Sequence, residues 1–196
     1  MTRGLFTKPP LRLSGRRRFR RSWIWASWAG VPMVPTVPVT IFMTATMTAT
    51  LDTNILVYAA DVRDTAKRDA SARMLTALTQ LGGRIGLQAV SEFHAALRKK
   101  LKRPVWEASQ AARNILVSFP TFAYVEADVA RALTEAATGR FSYWDALLLS
   151  AAERHGIRHF ITEGMGDGMR LGAIEVVAAF NDGQVSPRAA AVLGIK

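Results

Sequence analysis

Four places in this 196-residue chain put carboxylates where a fold could use them. Asp52 follows the apolar stretch Ala49-Thr50-Leu51 and precedes the helical pattern of Thr53-Asn54-Ile55-Leu56-Val57-Tyr58. It therefore falls at the carboxyl end of a strand, where open parallel sheets carry their functional groups. A helix cap would explain it equally well. Glu92 stands one turn into a helical pattern, in Ala89-Val90-Ser91-Glu92-Phe93. Its helical neighbours Ala89, Ala95 and Ala96 are apolar, so it borders a buried stripe; a carboxylate there also suits the helix dipole. Asp145 carries the most information. It lies in Phe141-Ser142-Tyr143-Trp144-Asp145-Ala146-Leu147-Leu148-Leu149, in the first turn of a helix that reads as nearly all buried. A lone carboxylate in such a place is costly unless it is paired or binds a cation. The fourth place is the loop Thr162-Glu163-Gly164-Met165-Gly166-Asp167-Gly168, which offers Glu163 and Asp167. Its G-x-G-x-G spacing is not the dinucleotide fingerprint, and the chain has no P-loop motif.

Brought to one sheet edge, these acids would repel and raise one another's pKa. No lysine occurs between Lys102 and Lys196 to offset them. A hard divalent cation removes the conflict, and an all-oxygen ligand set suits Mg²⁺ or Mn²⁺. Such a site serves phosphodiester hydrolysis, because the metal activates water and neutralises the phosphate oxygens.

The elements that must position these residues are short apolar strands alternating with amphipathic helices. Strands are expected at 49–51, 84–88, 121–125, 158–162 and 173–177. Helices are expected at 53–60, 66–81, 89–102, 105–118, 127–138 and 142–155, with Gly82-Gly83, Pro104 and Gly156 as stops. This alternation predicts an α/β fold with a mainly parallel central sheet and right-handed crossovers. Residues after about Asn181 read as a weakly structured end, so the domain is expected over 47–180 with a tail at 181–196.

Residues 1–46 differ in kind. Within 1–42 lie eight of the 26 basic residues, none of the 15 acidic ones, and five of the eight prolines. The net charge of +11 thus falls to +3 over the remainder. The run Val31-Pro32-Met33-Val34-Pro35-Thr36-Val37-Pro38 forbids a helix, so no membrane span is expected there. An export signal and a nucleic-acid-binding arm were weighed against a start codon placed too early. We expect the last, with Met43 or Met47 as the start, and a non-domain extension over 1–46. The chain has no cysteine, which excludes disulfides, thiolate zinc sites and cysteine nucleophiles. Its three histidines make a multi-histidine metal centre improbable.

The run from Met47 to about Ala179 resembles a PIN domain, and more closely a VapC-type toxin ribonuclease. The resemblance is carried by Leu51-Asp52-Thr53-Asn54-Ile55-Leu56-Val57-Tyr58, by Ser91-Glu92-Phe93 and by Tyr143-Trp144-Asp145-Ala146-Leu147. It implies a three-layer α/β/α sandwich and a Mg²⁺- or Mn²⁺-dependent endoribonuclease in the cytoplasm, the toxin of a toxin–antitoxin pair. Its implied partners are RNA, a cognate antitoxin and a second copy of the chain. It carries Asp52, Glu92 and Asp145 over as catalytic metal ligands and Asn54 as the residue orienting the first aspartate. The family's usual fourth aspartate falls at Gly164 here, leaving Glu163 or Asp167 as substitutes. A degenerate PIN-like module that only binds RNA or a partner is the alternative.

Two other aspartate chemistries fit less well. A haloacid-dehalogenase-like phosphatase needs a second aspartate where Asn54 stands, and a receiver module needs a late lysine. The basic run Arg98-Lys99-Lys100-Leu101-Lys102-Arg103 is either a solvated helix end or a phosphate contact for RNA.

Overall fold

The computed structural model describes residues 49–196. The expectations for the 1–46 extension lie outside the described residues. β1 (Ala49–Leu51) is buried throughout and runs through Asp52 into α1 (Thr53–Ala60), which turns Ile55, Leu56 and Ala59 to the core. α2 (Thr65–Gln80) starts at Asp64, whose side chain accepts from the Lys67 N–H, and buries Ala70, Met74, Leu75 and Leu78 at helical spacing. Gly82, at φ 67°, takes the left-handed conformation that turns the chain away.

β2 (Ile85–Gly86) is only two residues long, because Leu87 already begins α3 (Leu87–Lys99). The expected strand over 84–88 is thus corrected: Leu87 and Gln88 are helical, joined to the Ala-Val-Ser-Glu run that follows. α4 (Val105–Ser118) starts after Pro104. β3 (Thr121–Phe122) is also shorter than expected, since Val125 is the N-cap of α5 (Glu126–Ala137), its N–H held by the Asp128 carboxylate. α6 (Tyr143–Arg154) is capped by Ser142 and buries every residue from Ala146 to Ala152. A helix apolar all round belongs to the interior, and α6 packs against β2 and the main sheet.

β4 (His159–Thr162), β5 (Arg170–Leu171) and β6 (Ile174–Ala178) complete the four-stranded sheet, in the order β1-β4-β6-β5. β1, β4 and β6 are parallel; β5 is antiparallel to β6. β2 and β3 form a separate parallel pair beside β1, tied to it by the Thr50 hydroxyl donating to the Arg84 carbonyl at 2.8 Å. α6, backed by α5, lies against β5 and β6, while α2 lies against β1. The result is an α/β sandwich around a mainly parallel sheet.

The end of the chain departs from expectation. Residues 181–196 continue the fold through the hairpin of β7 (Phe180–Asn181) and β8 (Gln184–Val185), then α7 (Pro187–Leu193). α7 buries Ala189 and Leu193 against α2 and β6. Ser186 caps it, and Arg188 pairs with both Asp167 and Glu175. The sequence signal here is weak because only two residues of a seven-residue helix are fully buried.

Candidate metal-binding and catalytic site

The register of β1 against β4 builds the site. Leu51 pairs with Ile161, and the Asp52 N–H extends the ladder to the Ile161 carbonyl at 3.0 Å. This sets Asp52 beside Thr162 at the carboxyl ends of two parallel strands. The buried Thr162 hydroxyl donates to Asp52 Oδ2 at 2.6 Å. The same oxygen accepts from Asn54 Nδ2 at 3.0 Å and from the Gly164 N–H at 2.9 Å. The other carboxylate oxygen, Asp52 Oδ1, accepts from the Thr53 N–H at 2.6 Å. Asp52 is therefore both cap and candidate ligand. Asn54 acts on it through Thr162 and not by direct contact.

Thr53 also joins the first aspartate to the second acid. Its hydroxyl donates to Glu92 Oε2 at 2.8 Å. Gln88, one turn before Glu92 on α3, donates to Glu92 Oε1 at 2.9 Å and to the Trp144 carbonyl at 3.0 Å. That amide ties α3 to the start of α6. There Asp145 is half-buried; its N–H donates to the Ser142 hydroxyl, which donates back to Asp145 Oδ2 at 2.7 Å.

Burial pushes the Asp52 carboxyl up to about 6. The bonds from Thr162 and Thr53 work against this shift, and the charges of Asp145 and Glu92 add to it. The three acids expected from sequence thus converge closely enough for the first to sense the other two. Among the described residues, no three acidic or imidazole side chains stand at metal-ligand separations as arranged. The set still fits a hydrated Mg²⁺, which keeps several waters and needs only one or two direct carboxylates.

The two candidate fourth acids are engaged elsewhere. Glu163 accepts from Tyr58 Oη and pairs with Lys67 Nζ at 2.5 Å. Burial would raise its carboxyl, yet the Lys67 and Tyr58 bonds outweigh that and hold it below the usual range. Lys67 is a neutralising lysine that the sequence reading did not foresee. Asp167 accepts from the Ala178 N–H and from Arg188, which lower it in that order. Of the histidines, His94 faces Ser109 and His155 packs against Phe122.

Thr53, Gln88 and Thr162 were not singled out as site residues from sequence. Gln88 had a signal, a spacing of four from Glu92, hidden by extending the second strand through it. Thr162 had none, since its bond to Asp52 spans 110 positions.

The PIN domain family model matches residues 49–165, which spans β1, all three carboxylates and the loop after β4. The chain belongs to the PIN domain family. Two solved structures are similar to this PIN domain. One is the Mycobacterium tuberculosis toxin VapC20, described as cleaving the sarcin-ricin loop. It is 14% identical over 62% of this chain and 91% of that one, with a TM-score of 0.47. The other is VapBC2 from Rickettsia felis bound to a DNA fragment from its promoter. It is 15% identical over 67% of this chain and 98% of that one, with a TM-score of 0.49. No curated protein matches the chain. Among the described residues, no helix is long and apolar enough to cross a membrane.

Proposed function

We propose that this PIN domain is a Mg²⁺- or Mn²⁺-dependent endoribonuclease, the toxin of a toxin–antitoxin pair. Asp52, Glu92 and Asp145 are its metal-holding residues. The observation that carries the reading is the buried Asp52, raised to about 6 at the end of β1 with Glu92 and Asp145 bearing on it. A bound divalent ion supplies charge neutralisation on the phosphodiester and an activated water. The protein's own part is to hold the acids ready. Thr53 and Thr162 fix both oxygens of Asp52, Thr53 and Gln88 fix those of Glu92, and Ser142 holds Asp145. The toxin assignment, a cognate antitoxin, a homodimer and a cytoplasmic location rest on the three sequence motifs. So does the domain's start at Met47.

The test is cleavage of single-stranded RNA with Mg²⁺ or Mn²⁺. Chelator is expected to stop it, and Asp145→Asn to abolish it while the metal-free protein melts no lower than the parent. Cleavage persisting in excess chelator overturns the metal mechanism. A large loss of melting temperature in Asp145→Asn assigns Asp145 a structural role instead.

A second reading is a PIN-like module that binds RNA or a partner with little catalysis. The observation favouring it is Gly164 in the usual place of the fourth aspartate, with Glu163 and Asp167 committed to Lys67 and Arg188. Binding without metal-dependent cleavage is its signature.

A further inference from the structure

α3 turns Leu87, Gln88, Glu92 and Ala95 toward an open groove of about 780 Å³, whose opposite side carries Tyr124 and Trp144. That volume lies in the range of about 300–1,000 Å³ that ordinary ligand clefts occupy. The groove shares Glu92 with the carboxylate site, and Trp144 immediately precedes Asp145. Whatever fills it lies beside the reacting centre.

Its lining has a specific chemistry. Trp144 is 59% exposed and Tyr124 48%, unusual for aromatic side chains beside a polar site. The Trp144 ring is braced by Tyr143, edge to face with centroids 5.1 Å apart. Gln88 spends its amide N–H groups on Glu92 and the Trp144 carbonyl, both acceptors, so the orientation of the amide is fixed. Its Oε1 is left buried with no hydrogen-bond partner, an acceptor that lacks a donor. The same side of α3 returns at Lys99, two turns beyond Glu92 and about 10 Å along the axis. Lys99 is exposed, as are Lys100 and Lys102, and none of the three has an ion-pair partner among the described residues. Arg98 and Arg103, by contrast, are tied to each other's segment and to Glu107.

Exposed aromatics serve as stacking platforms because every base has a π face, and a cation spaced along the path takes a phosphate. A docked protein helix would want a continuous aliphatic floor, and here the aliphatic lining is limited to Leu87 and two alanines. We propose that this groove is a base-binding subsite. In it, unpaired bases flanking the cleaved phosphodiester stack on Trp144 and Tyr124, and Lys99 holds a phosphate further along the same strand. The proposal deepens the endoribonuclease reading and rests on it. A base N–H entering the groove supplies the donor that Gln88 Oε1 lacks.

The experiment measures binding apart from cleavage. The full chain carrying Asp52→Asn, in Mg²⁺, is titrated into a fluorescein-labelled short single-stranded RNA, and into a strand of equal length with abasic sites. Trp144→Ala is expected to weaken binding to the first strand by about tenfold or more, and Tyr124→Ala to weaken it independently. Trp144→Phe should retain most of the affinity. All of these proteins should bind the abasic strand alike. Lys99→Gln should lower the salt slope of binding by about 0.7. Unchanged affinity in both alanine variants overturns the proposal, as does an equal loss on the abasic strand. So does a loss of self-association with RNA affinity intact, which assigns the groove to a second copy of the chain. Cleavage by the parent chain is scored separately. Failure to cleave, with the Trp144 effect present, removes the endoribonuclease reading and leaves the groove. Cleavage with no Trp144 effect removes only the groove.

Discussion

Asp52 is held in a conflict that the bare protein cannot resolve. Burial and two neighbouring carboxylates oppose its charge, while Thr162 and Thr53 donate to it. Its folded pKa of about 6 lies above the ordinary value of 3.8. Below pH 4 the carboxyl is protonated in both folded and unfolded chains and costs nothing. As pH rises through 4 to 6 the unfolded chain ionises first, so the metal-free fold loses stability across that window and stays weakened above it. Asp52→Asn removes this penalty. In chelator, its stability relative to the parent should rise by up to about 3 kcal/mol between pH 4 and pH 7, read by denaturant unfolding at each pH. A difference flat with pH would mean that Asp52 is not raised. Thr162 is the second residue to probe. Thr162→Val deletes the hydroxyl that serves Asp52, Asn54 and Gly164. It should destabilise by about 1–3 kcal/mol through the stranded Asn54 amide. It should also move the acid limb of the cleavage–pH profile upward, since the bond to Asp52 is one that lowers its pKa. A stability loss with no change in the profile would make Thr162 structural only. The three acids were legible as residue types at strand and helix starts. The threonine that holds the first of them was not, because a register between strands 110 positions apart leaves no local pattern.

At the scale of elements, helices were the legible part and strand ends the illegible one. α2 and α6 declare themselves by apolar spacing and by Asp64 and Ser142 at their starts. β2 and β3 have two residues each, too few for any alternation to show, and the helices after them claim what looked like strand. The loop after β4 offers the sharpest test of how an element end sets the site. An added Cβ at Gly164 would stand 3.7 Å from both Asn54 Nδ2 and Thr162 Oγ1, ordinary contact, and Gly164 is not among the glycines with positive φ. Gly164→Asp is therefore sterically allowed and puts a fourth carboxylate beside Asp52. Without metal it should lower the melting temperature, since it adds like charge. With Mg²⁺ or Mn²⁺ it should bind the ion more tightly and cleave faster, by several-fold, read by calorimetric metal titration and initial rates. Weaker metal binding in the variant would mean that this loop end does not face the ion.

For the whole molecule, the uneven charge and the closing segment matter most. The body is nearly balanced, so the strong basicity of the chain is not a property of the described fold. The last stretch does belong to that fold, although its composition reads as a tail. α7 covers β6 and α2, and its polar links run through Arg188 to Asp167 and Glu175, not to Asp52, Glu92, Asp145 or Thr162. Stability and site chemistry should therefore separate there. Leu193 is 2% exposed, and truncating a buried leucine to alanine costs about 2–5 kcal/mol when the cavity cannot collapse. Near the end of a chain some collapse is available, so Leu193→Ala should fall at the lower end of that range. Cleavage per folded molecule, measured well below the melting temperature, should stay within twofold of the parent. An unchanged unfolding midpoint would show that α7 adds nothing to the core. A large loss of turnover in a fully folded sample would instead couple this distant helix to the carboxylates, through Asp167 and the loop that also carries Gly164.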